Sequence, residues 1–263
     1  MYNGTSLEAV LKRDRIVVIS GLAGVTALAW VYMFHLAWGM HMDMGMEMAM
    51  PHMRSWGAVD FILMFVMWAV MMVAMMVPSA TPMILMFATV NRRRRERQAP
   101  FVPTGVFLLG YLLVWTGFSA LATSAQWGLH TTALCSPMMV SMSPTLGSAL
   151  LLAAGIFQWS RLKYTCLTHC RSPLGFLMSE WREGTRGVLI MGLRHGSYCV
   201  GCCWLLMTLL FVAGVMNLLW VATIAAFILA EKVVPAGPWL SRVTGLLLIG
   251  WGAWMAAEVL RGP

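Results

Sequence analysis

Charge is what this chain has least of. Only 11% of its 263 residues are charged, against about 25% in an ordinary soluble domain. Acidic residues are rarer still, 10 against 18 lysines and arginines. That balance excludes a disordered chain and does not fit a typical cytosolic enzyme. Cysteine is limited to six, so a disulfide-dense secreted miniprotein is excluded as well. We find no glycine-rich nucleotide loop, no defensible Ser/His/Asp arrangement and no internal repeat. An ATP-driven pump and an enzyme are therefore not expected. What fills the chain is apolar. The hydrophobic fraction is 60% with mean hydropathy +0.76, Met numbers 25 and Trp 13. These values point to an all-α polytopic membrane bundle whose tryptophans anchor at the interfaces.

A span needs about 20 mostly apolar residues. Seven segments qualify, near 16–38, 58–78 (with an apolar extension to 90), 104–126, 146–161, 195–215, 217–234 and 239–260. The fourth is short and the fifth and sixth nearly merge, so the count is six if those two are one. The net charge of +8 would suggest nucleic acid in a soluble protein. Here the basic residues flank the apolar runs, so the expected partner is the lipid bilayer and no nucleic acid. With the N-terminus in the cytoplasm, 16 of the 18 basic residues fall on that side, leaving Arg54 and Arg261 outside. The expected location is thus an integral membrane protein of a bacterial inner membrane. The first span is too long for the apolar core of a cleaved signal peptide. One membrane domain is expected over residues 1–263, with an external loop at 39–57.

That loop reads GMHMDMGMEMAMPHMRSWG. Met40, His41, Met42, Met44, Met46, Met48 and His52 are interleaved with polar residues. Thioether sulfur favours Cu(I) over hard cations, and imidazole also suits copper. The loop is expected to collect a soft ion. The plainer reading is a tolerant linker. In the second span Met64, Met67, Met71 and Met75 advance by three or four residues and share a helical face. They form either a thioether ladder leading inward or ordinary flexible packing. Pro78 and Pro82 interrupt this span, and a break there should face protein or a polar cavity.

The sequence RLKYTCLTHCRSP puts Cys166, His169 and Cys170 at i, i+3 and i+4. HGSYCVGCCW repeats that spacing with Cys199, Cys202 and Cys203, and His195 stands four residues before them. On helices each set shares a face. Two sulfurs and a nitrogen suit Cu(I), with zinc or silver as alternatives. Both sets are expected at the cytoplasmic edge, where thiols stay reduced. The alternative is six small buried hydrophobes. Cys135, near Met138, Met139 and Met142, either extends the thioether surface or is incidental. Glu231 and Lys232 are either functional intramembrane charges or snorkelling side chains.

Three segments carry a family resemblance: WAVMMVAMMVPSATPMILMFA around Met71 to Ala88, GIFQWSRLKYTCLTHCRSP from Gly155 to Pro173, and GSYCVGCCWLLMTLLFVAGVMNLLW from Gly196 to Trp220. With the Glu231–Lys232 pair, they resemble the DUF2182 family of predicted metal-binding integral membrane proteins, sometimes labelled copper chaperones. The resemblance implies metal binding and leaves the mechanism open. The leading expectation is capture of Cu(I) on Met and His, with tighter binding at the Cys/His clusters. A copper protein or metallochaperone would be the partner. The alternatives are a membrane thiol-disulfide oxidoreductase using Cys199 and Cys202, with reactive thiols at a helix start, and an accessory assembly subunit of a copper enzyme.

Overall fold

The computed structural model describes residues 4–47, 57–98, 100–131, 144–215 and 217–261. Within its helices, only the backbone is described at 4–14, 40–47 and 130. The described residues form nine α-helices: α1 Gly4–Glu47, α2 Ala58–Glu96, α3 Thr104–Thr131, α4 Pro144–Phe157, α5 Arg161–Arg171, α6 Pro173–Glu180, α7 Gly184–Ala213, α8 Leu218–Val233 and α9 Gly237–Arg261.

Local chemistry sets several of these boundaries. Asp60 folds its carboxylate back onto the Gly57 N–H, 2.8 Å away, where α2 begins. Ser160 accepts from the Lys163 N–H and starts α5. Ser172 followed by Pro173 starts α6 in the same way. Asn217 caps α8 through the Trp220 N–H, and Gly214, at φ +88°, ends α7.

All seven expected apolar segments are helical, and five lie in helices long and apolar enough to cross a membrane: α1, α2, α3, α7 and α9. The chain is an integral membrane protein built as a helical bundle. The fourth and sixth segments give α4 and α8, with 14 and 16 residues. At 1.5 Å per residue these reach only about 21 and 24 Å, short of a hydrocarbon core of about 30 Å.

Two expected boundaries shift. The Met/His segment does not begin as a loop, because α1 continues through Met40, His41, Met42, Met44 and Met46 to Glu47. Met48 and His52 lie outside the described residues, as do Cys135, Met138, Met139 and Met142. The fifth span starts at Gly184, not near 195, because Arg186 and Arg194 are carried on the helix instead of preceding it.

α3 lies along α7, α4 along α9, and α2 against both α1 and α3. The first two pairs approach through glycine. A Cβ at Gly110 would strike the Leu189 carbonyl, and one at Gly192 the Phe107 carbonyl. At Gly155 a Cβ would sit 2.8 Å from the Gly245 carbonyl oxygen. Small residues let membrane helices come into backbone contact. α2 continues through Pro78 and Pro82. Carbonyls near the first proline take side-chain donors instead: Met76 from Ser79 (2.9 Å) and Tyr111 (3.0 Å), and Val77 from Thr81 (3.0 Å). The expected interruption is absent: the helix is continuous, and the donors Ser79 and Tyr111 are buried.

Candidate metal centre

The two cysteine sets, separated by more than 25 residues of chain, meet inside the bundle. α5 packs against α7. Cys170 lies within electrostatic reach of Cys199 and Cys202. Cys166 sits so close to the α7 backbone that a Cβ at Gly201 would lie 2.8 Å from its Sγ. All five cysteines are free and buried. Cys199, Cys202 and Cys203 lie near the middle of α7, not at its entrance, and are buried within the bundle.

Cys202 and Cys203 both point their thiols back at the Cys199 carbonyl, at 3.1 and 2.9 Å. Cys199 Sγ has two other neighbours. The Tyr111 hydroxyl of α3 is 3.2 Å away, and Lys232 Nζ of α8 donates to it at 3.0 Å. Lys232 also donates to Ser79 Oγ on α2 at 2.9 Å. Residues from α2, α3, α5, α7 and α8 therefore surround one group of sulfurs. On α5, burial and then the nearby Cys202 push the Cys166 thiol up. Hydrogen bonds to Cys199 and Cys202, followed by burial, likewise hold the proton on Cys170.

The two histidines part company. His195 is one turn before Cys199 and 2% exposed, boxed by Phe107, Tyr111 and Phe176. Its Nδ1 is buried with no hydrogen-bond partner. His169 turns away from the sulfurs. Its ring stacks on Tyr198 at 4.3 Å, and its Nδ1 meets the Thr165 carbonyl. Among the described residues, no three His, Cys, Asp or Glu side chains already stand in a metal-holding arrangement. Binding would have to exchange the thiol-to-carbonyl hydrogen bonds for metal bonds.

The methionine stripe of α2 is interior. Met64 is half-buried, while Met67, Met71 and Met75 are buried, so lipid-facing packing is ruled out for these three. Four residues beyond Met75 the same stripe reaches Ser79, the residue tied to Lys232.

Glu231 and Lys232 do not snorkel. They are 1% and 7% exposed and point to different partners. Glu231 receives Lys163 Nζ at 2.8 and 2.9 Å and Ser241 Oγ at 2.5 Å. Arg171 donates to the Glu231 carbonyl at 3.0 Å. The sequence reading missed Tyr111, Ser79 and Lys163. A signal existed for Lys163: it precedes Cys166 by three residues and Cys170 by seven, on the same buried face of α5.

Fold and site together define a class: an integral membrane helical bundle with soft-ligand side chains gathered in its interior. A family model described as PpoB2, copper chaperone, matches residues 65–255, and the chain belongs to that family. This is a copper-related family akin to the resemblance drawn from the sequence, although the match does not carry the DUF2182 label itself. The matched region holds the thiols, Lys163, Glu231 and Lys232 and begins after the Met/His segment. No curated protein and no solved structure matches the chain.

Proposed function

We propose that this protein is a membrane copper chaperone that takes Cu(I) onto the cluster of Cys166, Cys170, Cys199, Cys202 and Cys203 and passes it to a copper protein or metallochaperone. The observation that carries this reading is that the buried, free cysteines of α5 pack against the helix that carries the other three, Cys166 Sγ lying against Gly201 between Cys199 and Cys202. Thiolates are the strong soft ligands of the chain, and thioethers are weaker. The Met/His segment 39–57 would collect the ion, and Met71 and Met75 would guide it toward Ser79 and the sulfurs. Ag(I) should bind as a close mimic of Cu(I). The basic residues favour a cytoplasmic N-terminus in a bacterial inner membrane.

The test is elemental analysis of protein purified in detergent under reducing conditions. About one copper per chain is expected, and Cys170→Ser/Cys199→Ser/Cys202→Ser should lose it. An unchanged copper content in that variant would overturn the cysteine site.

The oxidoreductase reading rests on Cys199 and Cys202 standing three residues apart. It had drawn on a helix start for reactivity, and α7 begins 15 residues before Cys199. Thiol trapping in cells separates the two: a reversible Cys199–Cys202 disulfide without bound copper would favour the oxidoreductase.

A further inference from the structure

A groove of about 680 Å³ opens where the turn between α4 and α5 meets the start of α9. Gln158, Arg161, Lys163, Tyr164, Ser241 and Arg242 are among the residues lining it, and no cysteine or acidic side chain does so. Lys163 is already neutralised by Glu231. Arg161 and Arg242 are exposed, and among the described residues neither has an ion-pair partner. The first turns of both α5 and α9 also reach the groove, and helix N-termini favour anions.

Gln158 supplies the independent sign that a ligand belongs here. Its side chain is 5% exposed, yet neither Nε2 nor Oε1 has a hydrogen-bond partner. A buried amide left unpaired on both atoms is costly and calls for a missing partner. The partner must offer an acceptor to Nε2–H and a donor to Oε1. A water could satisfy the amide alone, whereas an anion in the groove would also meet the two exposed guanidinium groups. A phosphodiester carrying a hydroxylated headgroup satisfies all three. Trp159 and Tyr164 stand half-exposed at the rim, where amphipathic rings meet the headgroup layer of a bilayer.

We propose that this groove binds the phosphate of an anionic glycerophospholipid headgroup, held between Arg161 and Arg242 with Gln158 at its floor. The site is separate from the copper reading and does not depend on it.

Native mass spectrometry of the full chain in detergent tests the assignment, with phosphatidylglycerol and phosphatidylcholine of matched acyl chains as probes. Retention of phosphatidylglycerol over phosphatidylcholine is expected. Loss of both arginines should weaken it about thirtyfold, two basic residues near a membrane surface being removed. Arg161→Gln/Arg242→Gln should therefore lose the lipid. Gln158→Leu, of similar volume, should weaken retention too. Arg93→Gln/Arg97→Gln, with equal charge loss on the exposed basic end of α2, should keep it. Equal retention by the Arg161/Arg242 variant, or equal loss in the Arg93/Arg97 control, overturns the proposal. Glycerol 3-phosphate and inorganic phosphate form the second arm. If either binds at this site while phosphatidylglycerol does not, the phosphate chemistry stands and the lipid source is overturned.

Discussion

The buried pair between Lys163 and Glu231 gives the sharpest quantitative prediction. Both side chains are 2% exposed, and the pair joins α5, α8 and, through Ser241, α9. Glu231→Leu would leave the buried Lys163 ammonium without its carboxylate. Removing one partner of a buried pair costs about 3–5 kcal/mol, mainly through the uncompensated charge. The upper end is expected here, because the Lys163 bonds at 2.8 and 2.9 Å and the Ser241 bond are lost together. Glu231→Gln keeps an amide oxygen for Lys163 and should fall near the lower end. Lys163→Met/Glu231→Leu buries no charge, and an apolar replacement of the whole pair is often neutral or better. It should lie within about 1 kcal/mol of the parent. Denaturant unfolding in mixed micelles, followed by the fluorescence of the 13 tryptophans, supplies the four corners of the cycle. A Glu231→Leu loss below about 1 kcal/mol, or a double variant as unstable as the sum of the singles, would refute the reasoning.

Other outcomes follow from the same geometry. His169→Ala should retain full copper content by elemental analysis, since its ring stacks on Tyr198 away from the sulfurs. Gly192→Ala should destabilise by about 1–3 kcal/mol or more, because its Cβ meets the Phe107 carbonyl. Gly117→Ala, with nothing within 4 Å, should instead gain up to about 1 kcal/mol of helix propensity; unfolding midpoints of the two variants check both. Cys166 and Cys170 hold their protons above the usual thiol range, so a metal must displace them. Apparent Cu(I) affinity should then fall as pH drops, by about tenfold per unit for each proton displaced. Chelator competition at pH 6, 7 and 8 measures that slope, and a flat profile would mean these thiols are not ligands.

Much of this architecture was legible because membrane helices announce themselves by length and apolarity. All seven apolar segments are helices, and the i, i+3, i+4 spacing of the cysteines did place them on shared faces. The failures arise where charge misleads. Arg186 and Arg194 resembled loop residues, yet both ride on α7, and Arg194 pairs with Glu180 of α6. Lys163 resembled a topology signal, yet it is among the most deeply buried side chains. Tyr111 and Ser79 left no periodic trace, since a single hydroxyl in an apolar run acquires meaning only from the helix beside it. His169 shows the converse error. Correct helical phase puts a side chain on the right face, but χ angles and a stacking partner decide where its ring goes.

The shortness of α4 has a consequence for the surrounding lipid. A bilayer must thin, or let water descend, beside a hydrophobic segment of about 21 Å. The amphipathic α5, with Cys166 and Cys170 on its inner face, follows directly from that shallow flank. If the proposed copper site is right, an ion passing between water and those sulfurs would meet a dielectric barrier narrower than the full membrane.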